Sequence, residues 1–227
     1  MSVLLDNPIW HALSTGNQPF SLGNETVKYM QREVGIFAGL KTNSKDELTV
    51  LHEILPPESS VILFTPNALP TVPGWKIQLQ RELLQMVYTA AEEPPLLFKH
   101  PIIPLQEKDV PSMLALTKLT KPGPFFSRTF ELGNYEGVFC NGNLVAMTGQ
   151  RLQPYPFTEV SAVCTHPDHT GKGYAAGLLT SQIKKILAER RIPFLHVYPN
   201  NVSACKLYEK LGFSTRKSLI VQVLEKE

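Results

Sequence analysis

A turn with two glycines and a lysine stands between a predicted strand and a predicted helix, and this combination can hold a phosphate group. Residues 158–165 are mostly strand formers, and Gly171, Lys172 and Gly173 follow before the next apolar run. The first amides of a helix lack intrahelical partners and lie at the positive end of its dipole, so small residues there let a pyrophosphate approach the backbone. The spacing fits neither the dinucleotide fingerprint nor the P-loop, and by itself the turn equally suits an ordinary helix entry.

A second block lies further along the chain. Asn201 can cap a helix on which Ala204, Tyr208 and Leu211 share one face. The Gly-Phe pair at 212–213 ends that helix and begins another strand. The block therefore predicts a short capped helix with a phenol on its packed face.

With Glu159 in the upstream strand, the turn at 170–175 and the block at 201–213 stand in the order and spacing of the GNAT superfamily of N-acetyltransferases, which the chain resembles over about residues 100–222. The resemblance implies a mixed α/β (α+β) fold with a mostly antiparallel central sheet flanked by helices. It also implies an acyltransferase that moves acetyl from acetyl-CoA to the primary amine of a small amine, amino acid or peptide, by direct attack in a ternary complex. Thr170 departs from the family pattern, which usually has Arg or Gln there, and this departure bears on the affinity for pyrophosphate.

The resemblance implies two catalytic residues. Glu159 would take a proton from the acceptor ammonium, directly or through water, and Tyr208 would protonate the departing thiolate. Two alternatives stay open: Glu159 as a structural carboxylate paired with an arginine such as Arg151, and Tyr208 as a core residue with its hydroxyl at the rim.

Contacts to acyl-CoA are implied for the end of the strand, the turn and the cap of the second helix. These residues are Val163, Cys164, Thr165, Thr170, Gly171, Lys172, Gly173, Tyr174, Ala175 and Asn201. Val163 and Thr165 would use their main chain, as an added strand does, and Cys164 is expected to be a small packed residue rather than a nucleophile. Asn201 either caps its own helix or binds the pantetheine amides.

The acceptor pocket carries no motif, and its candidates come from the region before the predicted hairpin. Phe125, Phe126, Arg128 and Tyr135 could line a pocket for a small amine or amino acid. The alternative is that they pack against the N-terminal half of the chain.

The predicted elements are those that such a site needs. They comprise a helix at 105–119, strands at 137–140 and 144–152 joined by a hairpin, a strand at 158–165, a helix at 173–190, a strand at 194–198, a helix after 201 and a last strand at 218–223. Before them, the pattern predicts a strand at 60–65 and a helix at 77–92, followed by a proline-rich linker at 92–104.

The linker divides the chain into two predicted domains. Residues 1–95 would form a smaller α/β domain, and residues 96–227 a GNAT acetyltransferase domain. This layout looks similar to tandem glycine N-acyltransferase-like proteins, whose first half is a degenerate GNAT copy. An unrelated N-terminal cap is the alternative.

Composition limits the other classes of function. The chain has 227 residues, 43% of them hydrophobic, and a net charge of +2. Residues 171–227 hold ten Lys or Arg against four Asp or Glu, a basic field suited to the anionic ADP part of coenzyme A. Because that region lacks a basic run with interleaved aromatics, nucleic-acid binding has little support.

The three cysteines, Cys140, Cys164 and Cys205, are widely spaced, and neither they nor the six histidines show the spacing of a disulfide framework or a metal site. No apolar stretch is long enough to span a membrane and the N-terminus lacks a signal-peptide pattern, so we expect a soluble cytoplasmic protein. Its oligomeric state is left open. The main rival function is a non-catalytic acyl-CoA-binding sensor or scaffold; a nucleotide-binding protein is disfavoured by the missing P-loop spacing.

Overall fold

The computed structural model describes residues 3–227. Its helices are α1 (Pro8–Ser14), α2 (Lys45–Ile54), α3 (Val110–Thr120), α4 (Tyr174–Ala188) and α5 (Val202–Lys210). Its strands are β1 (Ser21–Gly23), β2 (Val27–Met30), β3 (Ala38–Leu40), β4 (Ser60–Thr65), β5 (Trp75–Tyr88), β6 (Ile103–Pro104), β7 (Glu136–Cys140), β8 (Asn143–Gln150), β9 (Phe157–Thr165), β10 (Ile192–Val197) and β11 (Phe213–Lys226).

The central sheet has eight strands in the order β4-β11-β5-β10-β9-β8-β7-β6. All neighbours pair antiparallel except β9 and β10, which are parallel because α4 crosses between them. A separate three-stranded sheet has the order β1-β2-β3. The mixed, mostly antiparallel sheet predicted from the sequence is therefore confirmed.

Helices cover both faces of the sheet, and the side chains of β10 show how the two layers divide. Phe194 packs into a cluster with Ile9 of α1, whereas its neighbour Leu195 packs into a cluster with Ile183 of α4 and Tyr208 of α5. Because side chains alternate along a strand, one strand supplies both cores. The helix carrying the predicted acid thus lies on the same side as the helix that follows the glycine turn.

From residue 105 onward, every predicted helix and strand is present in the predicted order. The strand at 60–65 has the same bounds as β4, and the other elements differ at their ends. The last strand is much longer than predicted, since β11 runs from Phe213 to Lys226 and pairs with both β4 and β5.

The helix predicted at 77–92 is wrong, because this segment forms β5. Its glutamines, leucines and methionine are good helix formers, but β5 is hydrogen-bonded to β11 along one edge and to β10 along the other. Pairing on both edges satisfies the backbone and buries Leu83 and Met86. Tertiary context has overridden local propensity here.

Strands from both sides of the predicted boundary at residue 95 lie in one sheet, since β4 and β5 precede it and their neighbours β11 and β10 follow it. The division into residues 1–95 and 96–227 stays a prediction, and so does the origin of the first part as a degenerate copy. Because both parts contribute strands to one sheet, a boundary at residue 95 would divide that sheet.

Residues 89–102 carry neither helix nor strand. Within them, Phe98 packs on α4 at Gly177, where any Cβ would lie 2.3 Å from its ring. No helix in the described part of the chain has the length and apolar character that crossing a membrane requires.

Candidate active site

The parallel strands β9 and β10 separate partway along their length. They pair only at Phe157–Ile192, Thr158–Pro193 and Glu159–Phe194, although β10 continues to pair with β5 beyond that point. On the opposite edge of β9, the register with β8 shifts, and Ala162 has a φ of 51°. A bulge of this kind bends a strand and turns its backbone. The end of β9 therefore borders an opening, the β9–β10 gap, where an extended ligand could lie beside its main chain.

The glycine turn lies at the start of α4, after the end of β9. Gly171 and Gly173 have φ values of 75° and 79°, and a Cβ built on either would meet no atom of a more distant described residue within 4 Å. This backbone conformation favours glycine, and the open space leaves the first amides of α4 accessible. A cavity of about 270 Å³ lies over the turn and reaches Thr165 and Leu207.

Seven of the ten residues predicted to contact acyl-CoA line this cavity. They are Thr165, Thr170, Gly171, Lys172, Gly173, Tyr174 and Ala175. Sequence reasoning missed His169, which also lines it and whose Nδ1 lies 3.3 Å from Lys172 Nζ.

The other three predicted contacts have different surroundings. Cys164 is buried, and burial raises the pKa of its thiol to about 11, which suits a packed residue rather than a nucleophile. Val163 packs against the cluster that contains Tyr208. The side chain of Asn201 accepts hydrogen bonds from Ala204 N and from Ser203 Oγ, so here it takes the capping alternative.

Tyr208 faces the sheet from α5 with 8% of its surface exposed. Its ring lies 6.2 Å from that of Phe213, and Val160 of β9 belongs to the same cluster. Burial, with a smaller effect of Cys205, raises the pKa of Tyr208 to about 12. The phenol is therefore protonated at neutral pH, which is the state that a proton donor requires.

Glu159 is completely buried, and its carboxylate is engaged on several sides. Arg151 donates from Nε at 2.8 Å and from Nη2 at 2.6 Å, and His196 Nδ1 lies 2.7 Å from Oε1. Burial opposes ionisation, but the Arg151 guanidinium outweighs it and lowers the pKa of Glu159 to about 2. A carboxylate that binds protons so weakly is a poor general base near neutral pH, so these contacts favour the structural alternative.

The hydrogen bonds around Gln85 settle which nitrogen of His196 carries its proton. Gln85 Oε1 accepts from Arg216 Nη1 at 2.8 Å, and its Nε2 donates to the Leu5 carbonyl at 2.9 Å. Its Nε2, 3.1 Å from His196 Nε2, must therefore also donate there. His196 is then a neutral imidazole that donates from Nδ1 to Glu159. No sequence pattern pointed to His196 or Gln85, because their approach depends on the pairing of β5, β9 and β10.

The four predicted acceptor residues do not all meet. Phe125 and Tyr135 pack edge to face, with centroids 5.5 Å apart, and both line a narrow cleft beside the bulge of β9. Arg128 instead forms an ion pair with Glu131 at 2.7 Å, and neither it nor Phe126 lines that cleft. Of the four residues predicted to line the acceptor pocket, Phe125 and Tyr135 therefore line the cleft, and Phe126 and Arg128 do not. Among residues 3–227, no cluster of His, Cys, Asp and Glu is arranged to hold a metal ion.

Stability should fall as the pH is lowered below about 6.5, because burial lowers the pKa of His196 from the 6.5 of an exposed histidine. The unfolded chain then takes up a proton that the folded protein binds more weakly, so acid favours unfolding. We expect His196→Gln to lose part of the stability difference that wild type shows between pH 7.5 and pH 5 in urea denaturation. The same change at His100, an exposed histidine, is the control, and an unaltered difference in His196→Gln would contradict the assignment.

Comparisons with known proteins agree with this geometry. The family model described as FR47-like protein matches residues 135–221. A solved protein assigned to the GNAT family, from Novosphingobium aromaticivorans DSM 12444, is 33% identical over the whole of both chains, with a TM-score of 0.92. A GCN5-related N-acetyltransferase from Kribbella flavida is 15% identical, with 96% of this chain and 95% of that chain covered and a TM-score of 0.61.

A third solved structure, a GNAT-family acetyltransferase from Colwellia psychrerythraea, is 14% identical over 100% of this chain and 98% of that chain, with a TM-score of 0.54. At such identities the Kribbella and Colwellia structures are similar in fold alone. No curated protein matches the sequence.

Proposed function

The chain belongs to the GNAT family, and from that premise we propose that it is an acyl-CoA-dependent N-acetyltransferase that moves acetyl from acetyl-CoA to a primary amine. The observation that carries the proposal is the arrangement of three neighbouring features. The cavity over Gly171 and Gly173 reaches Thr165 at the end of β9, where β9 borders the β9–β10 gap. The phenol of Tyr208 packs beside β9 on α5.

The residues of this arrangement suit the successive parts of acyl-CoA. The amides after Gly173 and the ammonium of Lys172 suit the pyrophosphate. The main chain of Val163 and Thr165 suits the amides of the pantetheine arm, which would lie along β9 like an added strand. Acetyl-CoA supplies an activated thioester, and the chain has to orient it and stabilise the charge that develops during transfer.

In the proposed mechanism, the acceptor amine attacks the thioester directly in a ternary complex. A main-chain amide near the bulge at Ala162 polarises the thioester carbonyl, as in an oxyanion hole. Tyr208 donates its proton to the thiolate as coenzyme A leaves. Glu159 holds Arg151 in place, and the acceptor ammonium loses its proton to water rather than to a side chain.

A non-catalytic acyl-CoA-binding module is the second candidate, and one observation favours it. The only carboxylate that the sequence put forward as a base is buried, and Arg151 and His196 engage it. A chain that kept a coenzyme A binding site but had no free general base could serve as a sensor or scaffold.

Two measurements on the purified protein separate these candidates. We expect coenzyme A to raise the melting temperature more than ATP does, and acetyl-CoA to release free thiol when primary amines, amino acids or peptides are supplied. Stabilisation by coenzyme A without thiol release from any acceptor class would support the binding module. Absence of both responses would leave the family fold without its cosubstrate and would overturn the proposal.

Direct transfer has its own test. Rapid-quench labelling with radioactive acetyl-CoA, in the absence of acceptor, should leave the protein unlabelled, because no acetyl-enzyme forms. A stable acetyl-protein that goes on to acetylate added amine would show a covalent route instead.

A further inference from the structure

Beyond the last pair that joins β9 to β10, a hydrogen bond between side chains still links the two strands. The last pair is Glu159–Phe194, and His196 lies two residues further along β10. His196 Nδ1 lies 2.7 Å from Glu159 Oε1, and the two side chains are 2% and 0% exposed. This contact therefore stands where the β9–β10 gap begins, and it limits how far the two strands can part there.

Aromatic rings of the core hold the imidazole of His196 in place. Its ring centre lies 4.7 Å from that of Phe64 and 5.5 Å from that of Phe194. A ring packed in this way can turn little, so the packing fixes which nitrogen faces Glu159. Which nitrogen carries the proton is then decided by the group at Nε2.

The group at Nε2 is Gln85, which lies directly across from His196 on β5. The side chain is completely buried, with Oε1 accepting from Arg216 Nη1 and Nε2 donating to the Leu5 carbonyl. A reversed amide would place N–H groups against Arg216, which has donors only, so these two contacts fix the orientation. Gln85 therefore presents an N–H to His196 Nε2, and the proton of the imidazole stays on Nδ1, facing Glu159.

This line of hydrogen bonds continues to the beginning of the described chain. Arg216 of β11 pairs with Asp6 at 2.7 Å, and Leu5, whose carbonyl holds Gln85, is completely buried. Side chains from the neighbouring strands β11, β5, β10 and β9 are thereby joined across the sheet. The line ends on β9, the strand whose main chain is proposed to bind the pantetheine arm.

A second buried glutamine, Gln222 on β11, offers a comparison. It is 1% exposed, its Oε1 accepts from Leu69 N at 2.7 Å, and its Nε2 donates to Gln80 Oε1 at 3.0 Å. Neither partner belongs to β9 or β10. Gln222 therefore matches Gln85 in residue type and burial but has no such link to the β9–β10 gap.

We propose that Gln85 is a positioning residue for acyl-CoA. By keeping the proton of His196 on Nδ1, it holds Glu159, and with it β9, at the distance from β10 that admits the pantetheine arm. Gln85 acts through His196 and Glu159 rather than by touching acyl-CoA. The inference rests on the proposed acetyl transfer, and it gives the N-terminal part of the chain a share in the cosubstrate site.

The first experiment observes the proton on His196 directly. Nitrogen-15 NMR of the imidazole in wild type should show a neutral ring protonated on Nδ1. In Gln85→Glu, the new carboxylate still accepts from Arg216 but offers no donor to His196, so a proton should appear on Nε2. A wild-type ring protonated on Nε2, or a ring unchanged in Gln85→Glu, would overturn the proposal.

The second experiment compares Gln85→Met with Gln222→Met at a temperature where both variants are folded. Both lose buried hydrogen bonds and should be less stable than wild type. Only Gln85→Met should weaken coenzyme A binding in calorimetry, by about twofold to thirtyfold, the range for residues that couple to a site without touching its ligand. In thiol-release assays the same variant should raise KM for acetyl-CoA more than it lowers kcat. Equal affinities in wild type and both variants, or equal weakening in both variants, would reject Gln85 as a positioning residue and leave the acetyltransferase proposal standing.

A third measurement needs no variant, and it decides the matter if Gln85→Met does not fold. Because coupling between two sites is reciprocal, saturating wild type with coenzyme A should shift the Nδ1 resonance of His196. Binding seen by calorimetry without such a shift would contradict the proposed link. Absence of coenzyme A binding to wild type would instead reject the proposed function, and the inference with it.

Discussion

Replacing Glu159 with glutamine should lower the free energy of unfolding by about 3–5 kcal/mol, the usual effect of removing one partner from a buried ion pair. The carboxylate is completely buried and the side chain of Arg151 is only 12% exposed, so the substitution leaves a guanidinium charge with little water around it. His196 would also lose its charged acceptor. Urea denaturation of wild type and Glu159→Gln at neutral pH gives the difference directly.

The matched control is Glu131→Gln, which breaks the ion pair between Arg128 and Glu131. That pair has a similar distance, 2.7 Å, but its side chains are 43% and 30% exposed. Because water screens it, its loss should change the unfolding midpoint far less. If Glu159→Gln were instead as stable as wild type but lost turnover together with the low-pH limb of the pH–rate profile, Glu159 would be the general base after all.

The sequence offered two roles for Glu159, a general base or a structural partner of an arginine such as Arg151, and it could not decide between them for a reason that lies in the fold. Its position in a strand before a glycine turn is a local feature, and the sequence shows it. Its partners are Arg151, just after β8, and His196 on β10. The rings that pack around Arg151 come from two further places, Phe37 just before β3 and Phe64 on β4. Which of these meet depends on strand order and register, and strand periodicity carries neither.

Features that depend on neighbouring residues were predictable. The glycine turn needs only a positive φ and an open approach, and both are properties of the local chain. The Asn201 cap likewise involves residues within one helical turn. The helix prediction at 77–92 was wrong for the opposite reason. The residues of this segment favour a helix, but they form β5 because β10 and β11 pair with it on either side.

The prediction for Tyr208 depends on both local features and the tertiary fold. Its place on the packed face of α5 follows from the spacing around Asn201, whereas its closeness to the thioester depends on the proposed path along the β9–β10 gap. Its proposed role as a proton donor also agrees with its pKa. A phenol with a pKa of about 12 keeps its proton at neutral pH, so it can donate to a thiolate but is not available as a base.

Tyr208→Phe should therefore lower turnover by about 10²-fold or more, the lower end of what a positioned general acid contributes. The ring and its packing against Phe213 are kept, so coenzyme A affinity and melting temperature should stay near those of wild type. Steady-state thiol release measures turnover, and calorimetry with coenzyme A measures binding. Tyr155→Phe, at an exposed tyrosine, should match wild type in both. Because loss of a proton donor affects the transition state alone, a fall in affinity that equalled the fall in turnover would assign Tyr208 to binding, and unchanged turnover would remove it from the mechanism.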